Sequence, residues 1–126
     1  MHAMTDYREL EVYRRAFTLQ QAVFEATKGF PRDGAFSLTD QMRRSSPSVD
    51  ANVAEAWKKR RYRAHFVSKL TDADAEAAET RHWLHTAEAC AYLSADERQR
   101  LDTLSREIGR TLGAMIRGAN RWWQNH

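Results

Sequence analysis

From Phe66 onward the chain repeats small or apolar residues at steps of four and three: Phe66, Leu70, Ala73, Ala77, Thr80, Leu84, Ala87 and Ala91. That spacing is the period of one face of an α-helix, and a strand, whose side chains alternate every second residue, cannot present it. Several members are small, so another helix can approach closely along this seam. A rod apolar on one side needs partners, and the rest of the sequence supplies three.

The first runs from about Arg8 to Lys28, with Leu10, Tyr13, Phe17, Gln20, Phe24 and Thr27 on its expected face and Gly29 and Pro31 as its stop. After a loop FPRDGAFS, Ser37 or Thr39 is the expected N-cap of a second helix. Its face is Leu38, Met42, Ser45 or Ser46, Val49, Val53 and Ala56 or Trp57. Pro47 lies inside it; there it removes a backbone bond and presses on the Arg43 carbonyl, a cost of about 3 kcal/mol that predicts a kink. Two short helices broken at Ser46 are the alternative. Ser94 and Glu97 form a capping box that opens a fourth helix faced by Leu101, Leu104, Ile108, Leu112, Met115 and Ala119. Gly109 and Gly113 within it predict a close helix crossing.

Only two prolines and five glycines interrupt 126 residues, which favours few, long elements. The expected fold is all-α: one domain over 1–126, an antiparallel up-and-down four-helix bundle with loose tails at 1–7 and 124–126. Trp122 and Trp123, adjacent on a helix, point in different directions, so one of them is expected at an oligomer interface. A single cysteine, Cys90, excludes an intramolecular disulfide, and its alanine-rich setting predicts a buried, inert thiol. No stretch is apolar enough to span a bilayer or resembles a secretion signal, so the expected location is cytoplasmic, with no membrane partner.

The most site-like cluster is Glu79, His82, His85 and Glu88, each three apart on helix three. A Glu-x-x-His pair is half of a di-iron carboxylate site, but facing helices carry no second half, and steps of three drift round the helix. An ordinary polar face is the expected reading, with no metal. No nucleophile elbow or phosphate-cradling glycine loop occurs. The expectation is a protein with no catalytic residues and no cofactor.

Charge remains. The total is +3 with pI about 9.3. Between Arg43 and Arg63, seven Lys or Arg face two acids, whereas Asp72 to Glu88 holds five acids against Arg81. Lys58, Lys59, Arg60, Arg61 and Arg63 crowd the end of helix two and the turn beyond it. Arg106, Arg110, Arg117 and Arg121 form a stripe on helix four, about 22 Å long. Two readings stay open: solvated helix faces with a dipole-complementing end, or a surface that tracks phosphates, with Tyr62 and the tryptophans stacking on bases.

The segment R-R-S-S-P-S-V-x-A-N-V-A-E, Arg43 to Glu55, carries a resemblance. With Leu38, Thr39, Gln41, the Phe30-Pro31 turn and Leu10-Glu11-Val12-Tyr13 with Ala16, it resembles the bacterial four-helix-bundle family of 23S rRNA intervening-sequence proteins. Accessory proteins of diversity-generating retroelements are related to that family. The glycine usual after the glutamate is Ala56 here, followed by Trp57, so the helix is expected to continue where relatives can turn. The resemblance implies a cytoplasmic homo-oligomer, a ring of five, binding RNA or another nucleic acid, or serving as a scaffold for a protein such as a reverse transcriptase. A ring of five would carry about +15. Asn52 and Glu55 are expected to satisfy backbone or arginine partners inside the bundle, with Arg43 and Arg44 either those partners or RNA contacts.

Overall fold

The computed structural model describes residues 4–120. A short 3-10 turn, Tyr7–Glu9, leads into four α-helices: α1 Glu11–Thr27, α2 Arg32–Lys58, α3 Arg63–Ala89 and α4 Ala95–Arg117. Connections of a few residues force neighbours antiparallel, and α1 packs on α2 and α4, α2 on α3, and α3 on α4, closing an up-and-down bundle. One core runs its length, with Leu19, Met42, Phe66, Leu70, Leu84, Leu101, Ile108 and Leu112 fully buried. Each such side chain contributes about 1.5–3 kcal/mol through removal from water.

The seams of α2, α3 and α4 lie where the spacing put them. Three features differ. On α1 the buried line is Val12, Ala16, Leu19, Val23 and Thr27, while Phe17 and Phe24 stay 43% and 42% exposed. The aliphatic line has the same period as the aromatic one, and its smaller side chains let α1 sit closer to its neighbours. The start of α2 is the second difference: FPRDGAFS is not a loop, and neither Ser37 nor Thr39 caps it. Pro31 holds an extended backbone as N-cap, and Ala35 and Leu38 are already buried. Gly34 fits there because a Cβ would lie 2.8 Å from the Tyr92 hydroxyl, while the Phe30 ring packs on Tyr92 at 5.6 Å. Tertiary contact thus overrides the weak local helix preference of that stretch.

The third difference is the end of α3. The seam stops at Ala87, and Ala91 turns into the left-handed region at φ 62°. The Tyr92 amide donates to the Ala87 carbonyl at 2.8 Å and the Ala91 amide to the Glu88 carbonyl at 2.9 Å, a Schellman closure with alanine where glycine is usual. Cys90, at the cap position, is exposed rather than buried. A left-handed alanine carries about 1–2 kcal/mol of strain. Ala91→Gly is therefore expected to raise stability by about 0.5–1 kcal/mol after the added flexibility of the unfolded chain is deducted. Urea denaturation checks it; a loss of stability contradicts the strain argument.

α2 continues through Pro47 as one helix, so the two-helix alternative does not form. The hydroxyls on either side bind back to the helix, Ser46 to the Met42 carbonyl and Ser48 to the Arg44 carbonyl, both at 2.7 Å. Across the core the Thr80 hydroxyl donates to that of Ser45 at 2.9 Å. Half of the capping box forms: Ser94 Oγ accepts from the Glu97 amide at 3.1 Å, and the Glu97 carboxylate meets the Ser94 hydroxyl at 3.4 Å rather than its amide. Of the glycine pair, Gly109 faces α3 and Gly113 faces its own helix's Arg117.

Candidate nucleic-acid interface

The expected basic block forms one corner of the bundle. Burial of Ala56 and Trp57 anchors the last turn of α2, and Lys59 and Arg60 turn the chain, with the Tyr62 amide donating to the Lys59 carbonyl at 3.0 Å. Arg60 is used up in this turn: its guanidinium caps the Trp57 carbonyl at 2.8 Å and lies 3.9 Å over the Trp57 ring. Lys58, Lys59, Arg61 and Arg63 are exposed, and among the described residues no carboxylate comes within ion-pair reach of them. The acid of this neighbourhood, Glu55, is taken by Lys69 at 2.8 Å, which pushes the lysine up from its ordinary value.

Dipole complementarity explains half of the block. Lys58 and Lys59 sit at the negative end of α2 and are favoured there. Arg63 opens α3 and Arg61 precedes it, at the positive end of a helix with no acid in its first turn and no side-chain cap. Two cations at a helix N-terminus repel its dipole, and an outside anion relieves both charges at once. Tyr62, 66% exposed, stands between them.

The α4 stripe divides. Arg106 is held by Asp102 at 2.7 Å, leaving Asp102 Oδ1 buried without a hydrogen-bond partner. Arg110 and Arg117 are exposed and form no ion pair among the described residues. Antiparallel order brings Arg117, at the end of α4, to the same end of the bundle as the α2–α3 corner. Arg121, Trp122 and Trp123 lie outside the described residues.

The family motif is locally satisfied. The Asn52 amide donates to the Ser48 carbonyl at 2.8 Å. Glu55 is exposed and bound to lysine, not placed inside the bundle against an arginine, because its position on α2 faces outward beside α3. Arg43 and Arg44 therefore partner neither. Arg43 lies 4.5 Å over the Phe24 ring and donates to the Thr27 hydroxyl at 2.9 Å, bracing α1 on α2. Arg44 binds Glu76 at 3.3 Å and also Glu79, bracing α2 on α3.

These pairs dissolve the metal cluster. Glu79 serves Arg44 and accepts from the Trp83 indole at 3.1 Å, Glu88 binds Arg98 at 2.6 Å, and both histidines are exposed. No group of three or more metal-ligating side chains gathers among the described residues. Three acids of α3, Glu76, Glu79 and Glu88, are thus spent on arginines of α2 and α4.

Two features escaped the sequence reading. Phe17 and Phe24 form an outward aromatic line with Tyr13, which stacks on Phe17 at 6.2 Å. Beneath it Asp50 is 4% exposed, its carboxyl pushed up from 3.8 to about 6 by burial. With the Gln20 amide oriented by this network, its nitrogen donates to both Asp50 oxygens at 3.2 and 2.5 Å. Burial and the nearby Asp50 raise Tyr13 as well. The apolar flanks Val49 and Val53 gave no sequence signal for a partner of Asp50.

Fold and corner define the class first: a small all-helical bundle displaying a basic end, with no helix among the described residues long and apolar enough to cross a membrane. The model of the 23S rRNA-intervening sequence protein family matches residues 8–114, and the chain belongs to that family. A solved structure from Bacteroides thetaiotaomicron, a protein of unknown function from the S23 ribosomal protein family, is 27% identical. The similarity covers 83% of this chain and 97% of that one, with a TM-score of 0.76. No curated protein matches the chain.

Proposed function

We propose that this protein is a non-enzymatic, cytoplasmic homo-oligomer that binds nucleic acid, structured RNA foremost, through its basic corner. The observation that carries the reading is the set Lys58, Lys59, Arg61 and Arg63, exposed and without a carboxylate of their own chain in reach among the described residues. Arg110 and Arg117 extend it along α4. Membership in a family named for an intervening sequence of 23S rRNA supports RNA as the polyanion. Recognition rests on charge and shape, because the corner offers cations and one tyrosine rather than a set of base-reading amides. In an oligomer each corner recurs, and weak single contacts become avid.

Filter binding of a structured RNA at 50 and 200 mM salt tests this. Affinity should fall steeply with salt, because displaced counterions are released at each phosphate contact. Affinity indifferent to salt, or none below about 100 μM, removes the proposal.

A second reading is a protein-interaction scaffold, such as a polymerase accessory subunit. It is favoured by the half-exposed Phe17 and Phe24, which form an apolar line on α1 away from the basic corner. Capture of protein but not RNA after nuclease treatment would support this reading over the first.

A further inference from the structure

A cleft of about 260 Å3 opens on the α3–α4 face, lined by Asp74 and Arg81 from α3 and by Arg106, Gly109 and Arg110 from α4. Three arginines line it, and two of their guanidinium groups are braced. Arg81 Nη1 donates to the Ser105 hydroxyl at 3.1 Å, and that hydroxyl donates in turn to the Ala77 carbonyl at 3.0 Å. Arg106 donates through Nε to Asp102 at 2.7 Å. Each guanidinium carries five N–H donors, so both keep several after these bonds. Arg110 forms no ion pair among the described residues. Gly109 makes the floor: a Cβ there would stand 3.2 Å from Asp74 Oδ1 and 3.8 Å from Arg81 Nη1, so any side chain would narrow the cleft.

Three arginines against the carboxylate of Asp74 in the cleft wall leave room for a further anion, and braced guanidiniums lose less entropy on binding it. Charge selects the anion. Arg81, Arg106 and Arg110 against Asp74 and Asp102 leave one net positive charge, which complements a singly charged phosphodiester better than a doubly charged phosphate monoester. We propose that this cleft seats one phosphodiester group of a nucleic-acid backbone, an assignment that rests on the nucleic-acid reading above and adds a shaped subsite to its open corner. Arg117 lies seven residues beyond Arg110, about 10 Å along α4 toward the corner, and links the two.

Dimethyl phosphate is the direct probe, titrated into the intact protein while the arginine Nε–H resonances are followed by NMR. Saturable shifts confined to Arg81, Arg106 and Arg110 are expected, at least tenfold weaker in Arg110→Gln and in Gly109→Ala. Shifts spread evenly over exposed arginines such as Arg100 overturn the site, and tighter binding of inorganic phosphate than of dimethyl phosphate overturns the diester assignment. In a parallel RNA titration, both variants should bind about tenfold more weakly, and Arg110→Gln should lower the salt slope by about one contact. If both keep full RNA affinity while neutralising the corner abolishes it, the cleft is overturned and the corner reading stands. If dimethyl phosphate binds but the unaltered protein takes up no RNA or DNA, the nucleic-acid source falls together with the reading it rests on.

Discussion

Replacing Lys58, Lys59, Arg61 and Arg63 together by glutamine is expected to weaken RNA binding about 100-fold or more at 50 mM salt while leaving the bundle folded. Each phosphate contact contributes roughly 0.7–0.9 to the slope of log affinity against log salt, so losing four should flatten the slope by about three. The gap between variant and parent should therefore narrow as salt rises. Stability should barely move. None of the four side chains reaches a carboxylate among the described residues, and Arg61 and Arg63 oppose the α3 dipole. Removing Arg61 and Arg63 should stabilise by a few tenths of a kcal/mol, and losing Lys58 and Lys59 from the negative end of α2 should cost about as much, so the four-site variant should stay within about 0.5 kcal/mol of the parent. Arg60→Ala is the contrast: it strips the cap and the cation–π contact from Trp57, and should lower stability before it touches binding. Parent and four-site variant with equal RNA affinity would remove the corner from the interface; a destabilised variant would mean that these charges serve the fold.

That contrast between Arg60 and its neighbours shows where sequence stops being sufficient. Apolar period alone placed the buried faces of α2, α3 and α4, because Leu38, Met42, Val49, Phe66, Leu70, Leu84, Leu101, Ile108 and Leu112 have no competing line on their helices. The Ser94 cap of α4 was legible because its bond to the Glu97 amide is local. On α1 two lines share one period, and side-chain size, decided by what lies across the interface, selected Val12, Ala16, Leu19 and Val23 over the aromatics. The start of α2 depends on Tyr92, about sixty residues away, and could not be read from FPRDGAFS. The candidate interface divides along the same line. The basic corner was legible as a run of residues adjacent in sequence. Which of its cations are free was not, because Glu55–Lys69, Arg106–Asp102 and Arg44 with Glu76 and Glu79 depend on rotamers and helix register. The α3–α4 cleft needs Arg81 brought beside Gly109, and composition carries no trace of that pairing.

Asp50 yields the second large effect. Burial holds its folded-state value at about 6, above the ordinary 3.8, so the folded chain binds this proton more tightly than the unfolded one. Below about pH 3.8 the group is protonated in both states and costs nothing. As pH climbs from 3.8 towards 6 the unfolded chain ionises while the buried carboxyl of the folded chain keeps its proton, and stability is lost; above 6 both states are ionised and the loss is complete. A rise of about two units corresponds to roughly 3 kcal/mol, and the Gln20 amide, which favours the carboxylate, brings the expected figure nearer 2. Asp50→Asn cannot ionise and keeps an acceptor for Gln20. It should therefore match the parent near pH 4 and exceed it by about 2 kcal/mol at pH 7. Paired urea denaturations at pH 4, 5, 6 and 7 read that difference directly, and the other acids cancel because both chains share them, including Asp6, which Arg8 holds below its ordinary value. A difference that does not change with pH would mean that water or Gln20 already satisfies the ionised group. A difference of the opposite sign would mean that the carboxylate forms a charge-stabilised contact between α1 and α2, and the outward Tyr13–Phe17–Phe24 line above it would then sit on an anchored seam rather than on a strained one.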